Sequence, residues 1–180
     1  MDVVVMTVNP TVQFDRLSFL SPRIARFAPV VGYRGKSDRS SAVKRAIWAN
    51  TREIVAQASG SLVLVLQHDV CFTKPAHKVL ACISSAVDFM QSTTEADLFF
   101  LGYHPNARHA KSAADAPISR LLYAIHWQAV IFRKEALQKL PAQIPEGVHN
   151  DVFLQKLNAN GNLRFYGLRL PIATQCTVTA

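Results

Sequence analysis

The sequence predicts a single α/β domain over residues 1–180, with a mostly parallel central sheet flanked by helices. Apolar runs such as "SLVLVL" (61–66) are continuously hydrophobic, as strands buried on both faces are. Segments with helical periodicity separate these runs, and this alternation favours helices layered on a sheet. A length of 180 residues, of which 49% are hydrophobic, is typical of one compact domain with a full core.

The first part of the chain is predicted to form two strands and two helices. The β-branched run "VVVMTV" (3–8) ends at Asn9, because Pro10 lacks the N–H that a sheet ladder requires. Apolar residues then recur at helical spacing towards Gly60. The elements expected after the first strand are a short helix within 14–24, the strand "FAPVVGY" (27–33) and a helix from Ser41 onwards, which Ser40 or Ser41 caps and Gly60 ends.

The strand at 61–66 has an unusual end. It stops at Gln67, His68 and Asp69, so a buried strand delivers an amide, an imidazole and a carboxylate in succession. In parallel sheets, ligands bind beyond the carboxyl ends of the strands, which makes this position a candidate site. The elements that follow are a helix capped by Thr73 and the strand "DLFFLGY" (97–103), which ends in Gly102 and Tyr103.

The second half of the chain begins with a polar segment. Residues 104–119 are rich in alanine and contain two prolines, which predicts a long loop of the kind that often serves function. "LYAIHWQAVIFRK" (122–134) returns to a strand pattern. The remaining predicted elements are a short helix at 134–140, a helix at 149–161 that Gly161 closes, and a last strand at 162–171.

The formal net charge of +8 favours anionic partners, which include nucleic acids, acidic membrane surfaces and phosphate-bearing small molecules. The basic residues are scattered and form no block, so specific nucleic-acid binding is not predicted. No apolar run reaches the roughly 18 to 20 residues that span a bilayer, which leaves peripheral membrane contact open.

The three cysteines, Cys71, Cys82 and Cys176, are predicted to be free, buried residues in a reducing compartment. They are odd in number and have no CxxC spacing, which argues against a disulfide framework or a zinc site. The N-terminal residues carry no basic lead and read as a strand, not as a secretory signal. We therefore expect a cytoplasmic location.

Three positions carry candidate chemistry, and each has a structural alternative. Asp69, with His68 beside it, is well placed to hold a divalent cation on a diphosphate, or it caps the following helix. His126 is a candidate ligand, or a hydrogen-bonded structural residue. Asp151 is a candidate general base, or the cap of the helix that begins there.

The order of several motifs resembles glycosyltransferase family 25, the lipopolysaccharide-type galactosyltransferases and their collagen-modifying relatives. "VVVMTVNPTVQFDR" supplies an Asn and an Arg, Asn9 and Arg16, and "SLVLVLQHDV" places Gln67, His68 and Asp69 over an acidic triplet, of which two acids are replaced. The further similar segments, in order, are "ADLFFLGY", "AIHWQAVIFRKEALQKL", "VHNDVFLQKL" and "LRLPIATQCTVT".

This resemblance implies a GT-A-like, Rossmann-like fold and an inverting, metal-assisted transfer of sugar from a nucleotide-diphosphate donor, UDP-sugar first of all, to a glycan or other hydroxyl acceptor. The implied cofactor is a divalent cation, Mn²⁺. Its implied ligands are Asp69, His126 and His68, the implied general base is Asp151, and the implied donor contacts are Thr7, Asn9, Arg16, Gln67, His68 and Gly102.

Two other classes of function remain open. The replaced acids also fit a glycosyltransferase-like domain that binds a nucleotide or glycan without turnover. The net charge of +8 alone suggests a nucleic-acid-binding domain, which steeply salt-dependent binding would reveal.

Overall fold

A computed structural model of the chain describes residues 1–7, 15–26, 36–111, 116–145 and 148–176. The strands in these residues are β1 (Asp2–Thr7), β2 (Arg23–Arg26), β3 (Leu62–Gln67), β4 (Val70–Phe72), β5 (Leu98–Phe100), β6 (Arg108–His109), β7 (Ile118–Tyr123), β8 (Ala129–Arg133), β9 (Phe165–Leu168) and β10 (Ala173–Gln175). The helices are α1 (Lys36–Gln57), α2 (Ala76–Ser92) and α3 (Asn150–Ala159), with short 3₁₀ helices over Asp15–Leu20 and Lys134–Lys139.

Eight strands form one sheet in the order β2-β1-β3-β8-β5-β9-β7-β6. β1 pairs in parallel with both β2 and β3, and β5 pairs in parallel with β9. β8 lies antiparallel between β3 and β5, and β7 is antiparallel to both β9 and β6. Six of the eight strands therefore run in one direction, with β7 and β8 reversed. This confirms the predicted α/β fold with a mostly parallel sheet.

Helices cover both faces of the sheet. α1 and α3 pack on one face, where Trp48, Phe100 and Phe165 are fully buried, and α2 packs on the other through Val79 and Met90. Because β3 is buried on both faces, its sequence is continuously hydrophobic and not alternating. None of the described helices is long and apolar enough to cross a membrane.

The first half of the chain differs from the prediction in detail. The helix expected within 14–24 is a 3₁₀ helix over Asp15–Leu20 that leads into β2. α1 begins at Lys36 and not at Ser41, because the polar segment before Ser41 continues the helix. The strand predicted at 27–33 lies outside the described residues.

Thr73 was predicted to cap α2, but the structure shows that it does not. The helix has Pro75 at its N-cap, where proline fits because the missing N–H would have no partner in the first turn. The Thr73 hydroxyl donates instead to the Ile172 carbonyl at 3.3 Å, and the Thr73 N–H donates to the same oxygen at 2.8 Å. Thr73 therefore ties the start of α2 to the segment that leads into β10.

Cys71 and Cys176 form a disulfide, with their Cα atoms 5.4 Å apart. The prediction of three free cysteines is therefore wrong for these two, and only Cys82 is a free thiol. The physical reason is that the end of the chain returns beside β4, where β10 pairs with it antiparallel. This pairing spans 105 residues of sequence, so local spacing gave no sign of it.

Candidate functional site

The strand order of the sheet changes direction at β1, because β2 lies on one side of β1 and β3 lies on the other. In open α/β sheets such a switch point opens a crevice beyond the carboxyl ends of the strands. A crevice of about 80 Å³ is present there, lined by Met6, Thr7, Ile47, Gln67 and His68. The structure thus brings together three of the predicted donor contacts, Thr7, Gln67 and His68, at the position where ligands bind in open α/β sheets.

Arg16 braces the turn that follows β3. Its Nε donates to the Val70 carbonyl at 3.1 Å, and Nη2 donates to the His68 carbonyl. Arg16 was predicted to supply charge to the diphosphate, but these contacts use its guanidinium to position backbone. The structure therefore shows Arg16 bracing this turn, and its contact with a diphosphate stays a prediction.

The carboxylate of Asp69 is held on one side and unpaired on the other. Oδ2 accepts a hydrogen bond from Gln175 Nε2 at 2.7 Å, and the Asp69 carbonyl accepts one from the Cys176 N–H, also at 2.7 Å. Oδ1 is buried without a hydrogen-bond partner. A buried carboxylate oxygen without a partner is costly, and such atoms in native structures often await a ligand or ion. β10 therefore fixes the orientation of the Asp69 carboxylate, and the second oxygen is left without a hydrogen-bond partner.

His126 has an uncommon backbone conformation. Its φ is +65°, in the left-handed region that a histidine rarely adopts. The His126 N–H donates to Asp151 Oδ2 at 3.0 Å, so a side chain at the start of α3 holds this conformation. Strained backbone of this kind occurs at functional sites, where the surroundings over-determine it. His126 and Asp151, predicted separately as ligand and base, are direct neighbours.

α3 also explains why the strand predicted over 122–134 is broken into β7 and β8. Gln155 Oε1 accepts the Ala124 N–H at 2.9 Å, in the way that Asp151 accepts the His126 N–H. Backbone donors that would extend a ladder are thus taken by side chains of α3. The intervening segment leaves the sheet and forms part of the site.

The structural alternative for Asp151 was that it caps α3, but it is not the N-cap of that helix. His149 occupies that position, and Asp151 lies in the first turn. While Oδ2 of Asp151 holds His126, Oδ1 is buried without a hydrogen-bond partner. The carboxylate is therefore fixed in orientation by one oxygen, and its other oxygen has no hydrogen-bond partner.

The segment before β8 connects the two parts of the site. On one side the Gln67 N–H donates to the Gln128 carbonyl at 2.9 Å, and on the other the His104 N–H donates to the Ile125 carbonyl at 3.0 Å. The rings of His104 and His126 meet edge to face with centroids 5.0 Å apart. The end of β3, the His126 segment and the end of β5 therefore form a continuous edge.

The described residues contain no group of three His, Cys, Asp or Glu side chains that could hold a metal ion. Asp69, His68 and His126 therefore do not form the three-ligand set that the resemblance implied. The reason is visible in their surroundings, since Asp69 is turned towards β10 and His126 towards α3 and His104. Asn9, the remaining predicted donor contact, lies outside the described residues.

Gly102 has a packing role. A Cβ at this position would lie 2.2 Å from the Ala173 carbonyl oxygen, because the first residue of β10 crosses directly over it. Only glycine allows that approach. Gly102 therefore shapes the edge beside the site, and a nucleotide contact is not needed to explain it.

Tyr103, next to Gly102, anchors the end of β5 to β9. Its hydroxyl donates to the Leu168 carbonyl and lies 3.3 Å from His109 Nε2. Burial raises the pKa of Tyr103 to about 12, against the opposing charge of Arg169. Burial and the same charge lower the pKa of His109. Both groups are therefore neutral near pH 7 and serve as hydrogen-bonding partners.

Sequence reasoning missed the contribution of Gln175 and His104. Gln175 lies in the segment "LRLPIATQCTVT", whose order was noted, but a glutamine in a three-residue strand gives no sign of its distant partner Asp69. His104 was placed in a polar loop, and its contact with His126 depends on sheet pairing. Neither role has a local signature.

Comparison with known proteins supports the fold. No protein-family model matches the chain, and no curated protein matches it. The crystal structure of A197 from STIV is similar, with a TM-score of 0.50 and 10% identity over 93% of this chain and 82% of that chain. The crystal structure of S. aureus TarS 1-349 in complex with UDP-GlcNAc is also similar, with a TM-score of 0.50 and 16% identity over 99% of this chain.

The chain spans about half of that TarS chain, 50% of its length. At these identities the likeness shows the fold and nothing finer. The sheet order, the helices on both faces and these neighbours define a GT-A-like fold in one domain, which confirms the predicted fold class. The narrower resemblance to glycosyltransferase family 25 stays a prediction.

Proposed function

We propose that this chain binds a nucleotide-sugar donor and transfers the sugar to a hydroxyl group of a glycan or similar acceptor. The observation that carries the proposal is the crevice at the direction change between β1 and β3, beside a carboxylate with one free oxygen, in a GT-A-like fold. The similar TarS structure contains UDP-GlcNAc, which favours a UDP-sugar as the donor.

The crevice supplies groups suited to a nucleoside. Thr7, Gln67 and His68 present a hydroxyl, an amide and an imidazole, which together donate to and accept from the polar edges of a base or ribose. Met6 and Ile47 supply the apolar contacts that ligand pockets commonly combine with a few polar groups.

The residues present fit a divalent cation only in part. Oδ1 of Asp69 is a buried, unpaired oxygen, which suits Mg²⁺ or Mn²⁺, and such ions are often held by one or two carboxylates together with substrate phosphates. Asp69 would thus hold the ion, and the donor diphosphate would supply further oxygens. The ion would act as a Lewis acid on the departing diphosphate.

Asp151 is the proposed base for an inverting transfer. Its Oδ2 is fixed by the His126 N–H, so Oδ1 has a defined direction from which to accept the proton of the acceptor hydroxyl as the new C–O bond forms. The hydroxyl oxygen attacks the anomeric carbon of the donor sugar. The bond between that carbon and the diphosphate oxygen breaks, and its electron pair leaves on the diphosphate.

A second candidate function is nucleotide or glycan binding without turnover. The described residues hold no three-ligand metal group, and both Asp69 and Asp151 commit one oxygen to structural hydrogen bonds. Such a domain would keep the crevice and the fold while lacking chemistry.

Calorimetry with UDP, in the presence and absence of Mn²⁺, tests the donor site. We expect binding that Mn²⁺ strengthens, and Asp69→Asn should remove the effect of Mn²⁺ while leaving metal-free binding nearly intact. Asp88→Asn is the matched control, since Asp88 is exposed on α2. Absence of UDP binding under both conditions contradicts the proposal.

Release of UDP from UDP-sugars separates the two candidates. Turnover that Asp151→Asn abolishes supports the transferase, because that change keeps the shape of the side chain and removes the base. Tight UDP binding with no release from any UDP-sugar, with hydroxyl acceptors present, supports the binding domain instead.

A further inference from the structure

The disulfide between Cys71 and Cys176 lies directly beside a carboxylate of the candidate site. Cys71 follows Asp69 by two residues, and Gln175 lies in β10, which pairs with β4. From this position the Cys176 N–H donates to the Asp69 carbonyl, and Gln175 Nε2 donates to Asp69 Oδ2, both at 2.7 Å. The disulfide therefore fastens to β4 the strand that occupies one oxygen of Asp69.

The pairing of β4 with β10 is short and partly open to solvent. The two strands form a separate two-stranded sheet with a register of three residue pairs. A two-stranded pair of this kind is marginally stable in water by itself. Thr174 and Gln175 are exposed, and Cys71 and Cys176 are half-buried. A reductant can therefore approach the disulfide, and the pairing depends on the disulfide to stay closed.

The backbone on either side of this pair has anchors of its own. The N–H groups of Ile172 and Ala173 both donate to the Leu101 carbonyl, at 2.8 and 3.1 Å, and both side chains are buried. Arg16 braces the turn around Asp69 by donating to two backbone carbonyl groups. Opening of the disulfide would therefore release the residues of β10 that follow Ala173, while the segment before them and the turn keep their positions.

We propose that the disulfide between Cys71 and Cys176 is a redox switch that controls the carboxylate of Asp69. A dithiol reductant opens the switch by exchange. One thiolate of the reductant attacks a sulfur of the disulfide, and its second thiolate then displaces the protein and closes a disulfide within the reductant. Two electrons and two protons pass to the protein, which leaves Cys71 and Cys176 as thiols. Residues 174–176 then leave β4, and Gln175 no longer occupies Oδ2 of Asp69.

Reduction changes what Asp69 can bind. In the oxidised protein Oδ2 accepts the amide of Gln175, and Oδ1 has no hydrogen-bond partner. In the reduced protein no amide competes with a divalent cation for Oδ2. We therefore expect the reduced protein to bind UDP with Mn²⁺ more tightly than the oxidised protein does. This consequence rests on the proposed function, whereas the release of residues 174–176 from Asp69 does not.

Hydrogen exchange measured by NMR tests the release directly, on the oxidised protein and on protein reduced with dithiothreitol. We expect the Cys176 N–H to exchange slowly in the oxidised protein and, after reduction, within about tenfold of an unstructured peptide. The N–H groups of Ile172 and Ala173 should keep at least about 100-fold protection after reduction. Protection of Cys176 that survives reduction overturns the switch. Equal loss of protection at all three positions means general unfolding and overturns it as well.

The carboxyl carbon of Asp69 reports the switch without any nucleotide. Its ¹³C chemical shift should change on reduction, and Gln175→Ala should produce a change in the same direction while the disulfide stays closed. Gln57→Ala is the matched control, since Gln57 is exposed on α1 and pairs with Glu53. Gln175 is exposed as well, so its replacement leaves the fold intact. An Asp69 signal that ignores both reduction and Gln175→Ala overturns the switch.

Calorimetry with UDP and Mn²⁺, after removal of the reductant, tests the consequence for binding. The reduced protein and oxidised Gln175→Ala should both bind at least about fivefold more tightly than the oxidised native protein, and reduction of Gln175→Ala should change its affinity less than about twofold. Equal affinity of the oxidised and reduced native protein overturns the control of binding by the disulfide. Absence of UDP binding in every form, together with the change at Asp69, contradicts the proposed function and supports the switch.

Discussion

Reduction of the disulfide between Cys71 and Cys176 is predicted to lower the free energy of unfolding substantially. The bond closes a loop across 105 residues of sequence, and the chain-entropy relation for a loop of this length gives about 4.8 kcal/mol at 25 °C. The effect acts mainly on the unfolded chain, which gains conformational freedom when the link is removed. For a domain of ordinary stability this is a large part of the total of roughly 5 to 15 kcal/mol.

Urea unfolding of the oxidised and the reduced protein measures this difference. Trp48 and Trp127 are both buried, so their fluorescence reports the loss of the core. The slope of unfolding free energy against urea should also rise on reduction, because the reduced unfolded chain exposes more surface. Cys82→Ser is the matched control, since it removes the free thiol and leaves the loop closed.

A loss of less than about 1 kcal/mol would refute the loop-entropy reasoning, since that lies well below the 2 to 4 kcal/mol typical of disulfides. Three reactive thiols in the oxidised, denatured protein would refute the disulfide itself. The same measurement bears on location, because disulfides persist in oxidising compartments. A cytoplasmic location stays a prediction, and the disulfide argues against it.

Three further predictions follow from the site. Asp151→Asn should reduce transfer at least about 100-fold in a UDP-release assay while UDP affinity by calorimetry stays within about twofold, and equal loss of both would assign Asp151 a structural role. Gly102→Ala should cost roughly 1–3 kcal/mol of stability in urea unfolding, whereas Gly60→Ala, whose Cβ would meet its nearest atom at 3.6 Å, should cost less. An absorbance titration should show a tyrosine with a midpoint near pH 12 that Tyr103→Phe removes. Because the folded pKa of Tyr103 is raised from 10.0, stability should hold below pH 10 and fall as the pH rises towards 12, and a Tyr103→Phe protein with the same pH profile would contradict this.

Local sequence patterns predicted much of the fold correctly. β3 was recognised from its continuous hydrophobic run, and α2 and α3 from apolar residues at helical spacing. Gly161, with φ of +76°, closes the last turn after α3 as its position suggested. These features depend on residues within one or two turns of each other, and so they are written in the local sequence.

The sequence predicted where the candidate site lies, but it did not predict the contacts among the residues of the site. Gln67, His68 and Asp69 were placed at a strand end, which is where the structure has them. That Asp151 would hold the His126 backbone was not predictable, because the contact joins a helix to a segment 25 residues earlier. The backbone contacts of Arg16 were not predictable either, since its partners lie more than 50 residues away in sequence.

The sequence by itself determined the layered α/β architecture and the strand end that carries Asp69, because burial on both faces and helical periodicity are local properties. The tertiary structure alone decided which oxygen of Asp69 is held and which is free. Gln175 and the Cys176 N–H reach Asp69 only after β10 has paired with β4, at the far end of the chain. Hydrogen bonds over such separations form when the sheet and its covering strands close, and no local pattern encodes them.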